Sequence, residues 1–433
     1  MRGQALTELT TEYVGRLGRA SAQVMGRGEW LVGRDTRESG PVLEQALVAG
    51  LRDGGAEPVC VGVLPTPALA YLSGRDGAPA AMLTASHNPY RDNGVKIFAA
   101  GGLKLTDGIE QAIEAALGPS RQPASEVADS PTAYPEPTAA MVDDYCDHLV
   151  AINRIDSLHG LRVVLDCANG SMYEVAPKVA RRLGADVIVI NAVPNGRNIN
   201  DRCGATHPAS LSAAVVAHGA DLGLAFDGDG DRVIAVDHVG NVVDGDRMIA
   251  LAALQLRDDG QLSNDSVVVT VMSNLGFHKA MESAGINVIT TAVGDRSVLA
   301  ALDAGEYALG GEQSGHIIYR YLASTGDGLL AGVRLAAYVR TMGRTLADLA
   351  GGVMTSYPQV LVNVKVADRH PQVDVELADE IATADQTLHG EGRILVRPSG
   401  TEPLIRVMVE AATQSLAQRT ADDLAKVVLA RFG

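Results

Sequence analysis

The sequence predicts an α/β protein of roughly three or four domains, the last of a different, α+β kind. Three observations carry this. The chain has 433 residues, more than one hydrophobic core can serve. Strand-like and helix-like runs alternate almost throughout, the pattern of βαβ units with mostly parallel or mixed sheets. After about residue 358 the order changes, and strands gather ahead of one closing helix.

Taken in order, EWLVG (29–33) and EPVCV (57–61) are short buried strands. Between them 42–53 is a helix, with Val42, Leu43, Leu47 and Leu51 at helical spacing. APAAML (78–83) is small and apolar, the end of another buried strand. Residues 118–136, rich in Pro, Ser, Ala and Asp, form an exposed connector, and the helix 139–152 bridges the first domain to the second. LRVVLD (161–166), then CANGS, a helix over 173–183 and ADVIVI (185–190) make a βαβ unit. DLGLAF (221–226), RVIAV (232–236) and SVVVTVM (266–272) with the helix after it repeat the theme. The last domain has strands at 359–366, 393–397 and 404–411 and a helix over 414–431. The boundaries fall at 1–152, 153–247, 248–358 and 359–433. Successive α/β units suggest duplication, without a clean repeat of short period.

Lys and Arg number 36 against 52 Asp and Glu, a formal net charge of −16 that argues against nucleic acid and anionic membranes as partners. No apolar run is long enough to span a bilayer, and Met1–Thr7 lacks the apolar core of a signal peptide. Cys60, Cys146, Cys167 and Cys203 lie far apart with no CxxC pair, so reduced thiols are expected rather than disulfides or a zinc site. A cytoplasmic location follows. An acidic protein with an anionic substrate must gather its few cations, so Arg and Lys inside glycine-rich loops are informative.

Four loops stand out. TASHNPYRDNGVK (84–96) crowds Gly, Asn and Pro at the C-terminal end of a strand and carries Ser86, His87 and Lys96. Serine beside histidine suggests a nucleophile and its base, although sequence neighbours seldom face each other. DGDGDR (227–232) sets Asp227, Asp229 and Asp231 at alternate positions between apolar strands, able to bend onto one hard cation such as Mg²⁺. A plain acidic turn would leave three acids repelling one another. An EF-hand fits poorly, since its sixth position would be Arg232 and its twelfth His238. Arg232 suits an anion that shares the metal, with phosphate the obvious candidate. LGGEQSGH (309–316) offers Glu312 and Ser314 to hydroxyls, or is a simple turn. RPSGTEPLIR (397–406) places Ser399, Gly400 and Thr401 between Arg397 and Arg406, a phosphate cradle or a solvated turn. Together the loops suit phosphoryl transfer on a polyol. There is no GxxxxGK[ST] and no kinase HRD/DFG set, which argues against a nucleotide-dependent kinase.

TASHNP…NGVK, DGDGDR, GEQSGH and RPSGTEPLIRVMVE, with GRDTRESG (33–40), DCANGS (166–171) and TGDG (325–328), resemble the α-D-phosphohexomutase superfamily, and within it the glucosamine branch. The resemblance runs from residue 2 to the last helix. It implies four domains around a central cleft, the first three of one shared α/β topology and the fourth separate. It implies that Ser86 carries a phosphoryl group, and that Asp227, Asp229, Asp231 and the Ser86 phosphate bind one Mg²⁺. His87 then shapes the loop or hydrogen-bonds within it, while Lys96 and Arg232 stabilise the transferring group and help move protons. Glu312 and Ser314 bind sugar hydroxyls; Arg397, Ser399, Gly400, Thr401 and Arg406 hold the phosphate that is not reacting. The activity implied is exchange between glucosamine 6-phosphate and glucosamine 1-phosphate through a glucosamine 1,6-bisphosphate, which also activates. That reaction feeds UDP-N-acetylglucosamine and peptidoglycan synthesis, and the enzyme would be a monomer or homodimer. The alternatives are a phosphoglucomutase or phosphomannomutase, a Mg²⁺-dependent phosphatase, and an idle sensor.

The family's first strand and its GTDG turn precede an arginine that reaches the active-site phosphate. Here Arg2 aligns with that arginine at the very start. The expectation is a natural start several residues upstream, or a form that has lost those residues, with residues 1–3 frayed and a neighbouring strand left without an edge partner.

Overall fold

The computed structural model describes residues 1–118, 139–153, 157–399 and 403–433. Most of the expected connector, and Gly400 and Thr401 of the cradle, lie outside these residues.

The described chain builds four sheets. The first contains β1 (Arg2–Gln4), β2 (Glu29–Arg34), β3 (Glu57–Val63), β4 (Ala80–Leu83), β5 (Asp92–Ala99) and β6 (Leu103–Lys104), in the order β1-β5-β4-β2-β3 with β6 beside β5. The second, of β7 (Arg162–Asp166), β8 (Asp186–Ile190), β9 (Leu222–Phe226), β10 (Val233–Asp237) and β11 (Val242–Val243), runs β11-β10-β9-β7-β8. The third, of β12 (Ser266–Thr270), β13 (Asn287–Thr291), β14 (Leu309–Gly311) and β15 (Ile317–Tyr319), runs β13-β12-β14-β15. In each, two parallel pairings surround the first strand of a βαβαβ run, and the third strand of that run turns back into an antiparallel fourth. The shared topology is therefore real although no sequence repeat marks it. Its inner strands are buried on both faces, so they read as unbroken apolar runs such as LGLAF and SVVVT rather than as alternation.

Helices cover the sheets: α1 (Thr11–Met25), α2 (Gly40–Asp53), α3 (Thr66–Asp76), α4 (Asp107–Leu117), α5 (Ala139–Asn153), α6 (Met172–Arg182), α7 (Ala209–His218), α8 (Gly245–Asp258), α9 (Leu275–Ser283), α10 (Asp295–Gly305), α11 (Gly328–Met342) and α12 (Leu346–Val353). Side chains of Thr10, Thr106, Asp244, Asn274 and Asp327 accept the first free N–H groups of α1, α4, α8, α9 and α11, which sets where those helices start. The fourth sheet is antiparallel, β16 (Gln359–Lys365), β17 (Gly392–Pro398) and β18 (Leu404–Ala411) in the order β16-β18-β17, with α13 (Val373–Glu376), α14 (Ala378–Gln386) and the long α15 (Gln414–Phe432).

Residues Met1–Val271 and Asn287–Gly351 form one compact unit, and Met272–Ile286 with Gly352–Gly433 form another. The second unit thus takes in α9, the crossover helix of the third sheet. Glu410 of β18 is fully buried and accepts from the N–H of Leu275 at 3.0 Å and from Asn274 Nδ2 at 3.1 Å, closing the N-terminus of α9. Arg393 of β17 pairs with the same carboxylate at 3.0 Å.

The expected fraying of residues 1–3 and the bare strand edge are corrected. Arg2, Gly3 and Gln4 pair antiparallel with Gly94, Asn93 and Asp92, so the edge of β5 is covered by these residues themselves. Gly94 makes the approach feasible: a Cβ there would stand 2.5 Å from Met1 O.

Candidate active site

Three of the four loops leave their sheets at the same topological point, the turn from the third strand of the βαβαβ run into its antiparallel neighbour. Ser86 follows β4, the aspartates follow β9, and Glu312 follows β14. Equivalent ends of three like sheets bring them together.

Ser86 is buried, and its backbone sits at φ 54°, a left-handed conformation uncommon for a serine. Such a residue persists only where its surroundings over-determine it. Arg37, from the GRDTRESG stretch, does much of this. Its guanidinium is buried, and all five N–H donors are used: Nε on Asp35 Oδ2 (2.9 Å), Nη1 on the carbonyls of Pro89 and of Asp92 (2.9 Å), Nη2 on those of Ser86 (2.9 Å) and Asn88 (2.8 Å). Asp35 also accepts from Thr84 Oγ1 at 2.7 Å, and Thr84 Oγ1 accepts the Ser86 N–H at 2.9 Å. Thus presented, Ser86 Oγ donates to Asp227 Oδ2 at 2.6 Å. His87 Nδ1 is 3.4 Å from Ser86 Oγ. Burial, then the charges of Arg232 and Arg2, push His87 down to about 4, so it stands neutral and weakly basic. A part in shaping the loop fits it better than general base catalysis.

Asp227, Asp229 and Asp231 are buried, and one oxygen of each lies within 4.8 Å of the others. Lys96, projecting from β5, donates to Asp229 Oδ2 at 2.6 Å and Asp231 Oδ2 at 2.7 Å, and Thr66 Oγ1 donates to Asp229 Oδ2 at 2.6 Å. The Oδ1 atoms of Asp229 and Asp231 are buried without a hydrogen-bond partner among the described residues. An all-carboxylate set with unsatisfied buried oxygens suits a hard cation, so the triad could hold a metal ion. Burial, then repulsion from Asp231 and Asp229, holds Asp227 well above the usual carboxylate range. Burial works the same way on Asp231, but Lys96, His316 and Arg232 outweigh it and hold it well below. Lys96 is raised in turn: burial opposes its charge, and the two aspartates more than compensate. It is therefore an ammonium suited to stabilising negative charge rather than taking a proton.

Arg2, Thr66, Lys96, Lys104, Asp231 and Asp295 line a cavity of about 640 Å³. Arg2 thus lines the cavity from an edge strand. Glu312 Oε1 accepts the Gly294 N–H at 3.0 Å, while Ser314 is exposed. Sequence reasoning missed Arg37, Thr66, Asn200 and His316. His316 is buried with Nδ1 3.6 Å from Asp231 Oδ1, and its place in GEQSGH was the available signal.

In the second unit, Arg397 of β17 and Arg406 of β18 are direct cross-strand partners. Opposed like charges destabilise a sheet, and Arg406 Nε is buried with no hydrogen-bond partner among the described residues. Burial first, then Arg406, lowers Arg397. Ser399 is buried at the end of the same hairpin. An anion between the guanidinium groups would satisfy both.

Residues 1–122, 143–240 and 244–357 match domains I, II and III of phosphoglucomutase/phosphomannomutase, each described as alpha/beta/alpha, and 361–427 match the C-terminal domain. The phosphoglucosamine mutase of Rhodococcus opacus is 50% identical over 439 residues, covering 99% of this chain and 97% of that one. That of Frankia casuarinae is 52% identical over 445 residues, covering 99% and 96%. The chain belongs to the phosphoglucosamine mutases, within the phosphohexomutase superfamily. Solved relatives of this superfamily share the fold. A phosphoglucomutase/phosphomannomutase family protein from Burkholderia thailandensis superposes with a TM-score of 0.81 at 25% identity, covering 99% of this chain and 96% of that one. The N-acetylphosphoglucosamine mutase of Aspergillus fumigatus, solved with GlcNAc-6P and magnesium, gives 0.71 at 20% identity, covering 100% and 95%.

Proposed function

We propose that the chain interconverts glucosamine 6-phosphate and glucosamine 1-phosphate by way of phosphoserine 86. The observation that carries this is the placement of a buried, over-constrained serine hydroxyl 2.6 Å from the first carboxylate of an unsaturated aspartate triad. In the active form the Oγ–P bond of phosphoserine 86 breaks and an O–P bond to the free hydroxyl of the sugar phosphate forms. The resulting glucosamine 1,6-bisphosphate returns its other phosphate to Ser86; the proton of the sugar hydroxyl passes to Ser86 Oγ in the first transfer and from Ser86 Oγ to the departing sugar oxygen in the second. One Mg²⁺ on Asp227, Asp229 and Asp231 would neutralise charge and make phosphorus electrophilic. Lys96 and Arg232 stabilise the moving phosphoryl group, Arg2 supports it, and His87 shapes the loop. Glu312 and Ser314 take sugar hydroxyls. Arg397, Ser399, Gly400, Thr401 and Arg406 hold the second phosphate. Domains at 1–152, 153–247, 248–358 and 359–433, a cytoplasmic location and a monomer or homodimer complete the reading, with the bisphosphate as activator.

Ser86→Ala should lose nearly all turnover of glucosamine 6-phosphate with Mg²⁺ and a trace of the bisphosphate, while keeping its fold and sugar-phosphate affinity. Intact-mass measurement should find a phosphate on the wild type that the variant lacks. Isomer, free phosphate or no product separates a mutase from a phosphatase and from an idle protein. A variant as active as wild type removes Ser86 from the reaction.

A further inference from the structure

One hold on the Ser86 loop comes from the second sheet's side of the molecule. Asn200 lies in the segment between β8 and α7, with a left-handed backbone (φ 58°), and its N–H donates to Ala168 O at 2.9 Å. Its side chain is buried, and Nδ2 donates to the carbonyls of Ser86 (2.9 Å) and Asn88 (3.2 Å). The metal loop closes over the same amide: a Cβ on Gly228 would fall 2.8 Å from Asn200 Nδ2 and 2.7 Å from Ser86 O. The Asn200 amide is thus wedged between the loop bearing the nucleophile and the loop bearing the carboxylates. Arg37 fixes the shape of the first loop from within its own sheet; nothing in Arg37's contacts refers that shape to Asp227.

We propose that Asn200 is a positioning residue that sets the register of Ser86 Oγ against the aspartate triad. It acts through the Ser86 carbonyl, holding a left-handed serine at the distance from Asp227 that transfer needs. The proposal rests on Ser86 being the phosphoryl carrier. Its expected signature is kinetic, because the Asn200 amide holds the nucleophile's backbone.

The test uses the full chain and two variants. Asn200→Gly keeps the left-handed backbone and removes both donors. Asn200→Asp keeps the shape and turns an acceptor toward two carbonyl oxygens. Misplacing a reacting group by about 1 Å can cost about a hundredfold, so Asn200→Gly should lower kcat roughly ten- to hundredfold with KM unchanged within about twofold. Free phosphate released per isomer formed should rise, since a displaced phosphoserine is open to water. Asn200→Asp should fall below Asn200→Gly. A purely structural role predicts that any loss of turnover follows a loss of stability, with free phosphate per isomer at the wild-type ratio. Wild-type kcat in Asn200→Gly, a loss confined to KM, that structural pattern, or Asn200→Asp above Asn200→Gly overturns the proposal. Ser86→Ala, run alongside, separates the two ideas. Activity in Ser86→Ala refutes the carrier reading, whereas an inactive Ser86→Ala beside a wild-type Asn200→Gly refutes the positioning role alone.

Discussion

The aspartate triad at 227–231 and the arginine pair at 397 and 406 are both crowds of like charge, and the protein treats them in opposite ways. The triad has a resident cation: Lys96 sits 2.6 and 2.7 Å from two of its members, with hydroxyls of Ser86 and Thr66 in support. The arginine pair has no carboxylate within ion-pair distance among the described residues. Composition of that sheet is not the reason, since Arg393, on the same strand as Arg397, pairs with buried Glu410. An internal counter-ion marks a centre largely assembled before any ligand arrives. A withheld counter-ion suits a centre that a ligand completes, as proposed for this pair.

The contrast is broken most forcefully at Lys96. Lys96→Met should leave Asp229 and Asp231 buried without their cation and cost about 3–5 kcal/mol of stability, along with activity. Urea unfolding would measure this, and added Mg²⁺ should return part of it by binding the folded form. A loss below about 1 kcal/mol would mean that the triad tolerates its own charge and that Lys96 is not its counter-ion.

Asp327 is the foil among carboxylates. It is fully buried, accepts Tyr145 OH at 2.7 Å and the Leu330 N–H at 2.9 Å, and has no cation against it among the described residues. Burial pushes it up to about 6, where Lys96 and its neighbours hold Asp231 down. The folded state therefore keeps a proton that the unfolded chain releases near pH 4. Its stabilisation is fully present below that pH and is lost as pH rises through about 6, amounting to at most ~3 kcal/mol. Asn in its place keeps the helix cap and cannot titrate. The stability of Asp327→Asn relative to wild type should climb between pH 4 and pH 7; a flat difference would show that Asp327 is already ionised in the fold.

The smallest change in stability is expected at the arginine pair. Arg406→Ala removes one of two opposed cations, so unfolding should shift by less than about 1 kcal/mol, toward greater stability. Affinity for both sugar phosphates should nevertheless fall by about 1.5–3 kcal/mol, roughly ten- to hundredfold. If only one isomer binds less well, the pair does not serve a phosphate common to both.

What the sequence made legible follows from where each signal is stored. TASHNP, DGDGDR and GEQSGH are local, and many of the strands are apolar runs, so the loops and those strands could be read within a few residues. Arg37, Thr66 and Asn200 act 49, 163 and 114 positions from their partners, and no local pattern announces such bonds. The strand at Arg2–Gln4 was missed for a related reason. Three residues carry no periodicity, and their conformation is dictated by the open edge of β5 and the bare Cα of Gly94. The common topology of the three sheets was hidden too, because pairing order is a property of backbone hydrogen bonds that quite different apolar residues can satisfy.

The membership of α9 in the C-terminal unit bears on how this protein can be cut and recombined. The backbone passes from one unit to the other at 271–272, 286–287 and 351–352, three seams instead of one linker. A chain ended near residue 358 would keep α9 but lose the Glu410 carboxylate that closes its first turn, stranding the Leu275 N–H and the Asn274 amide. A chimera that borrows a relative's C-terminal domain should therefore carry that relative's residues for 272–286 as well. The unit of exchange is the sheet together with a helix written some seventy positions before its first strand.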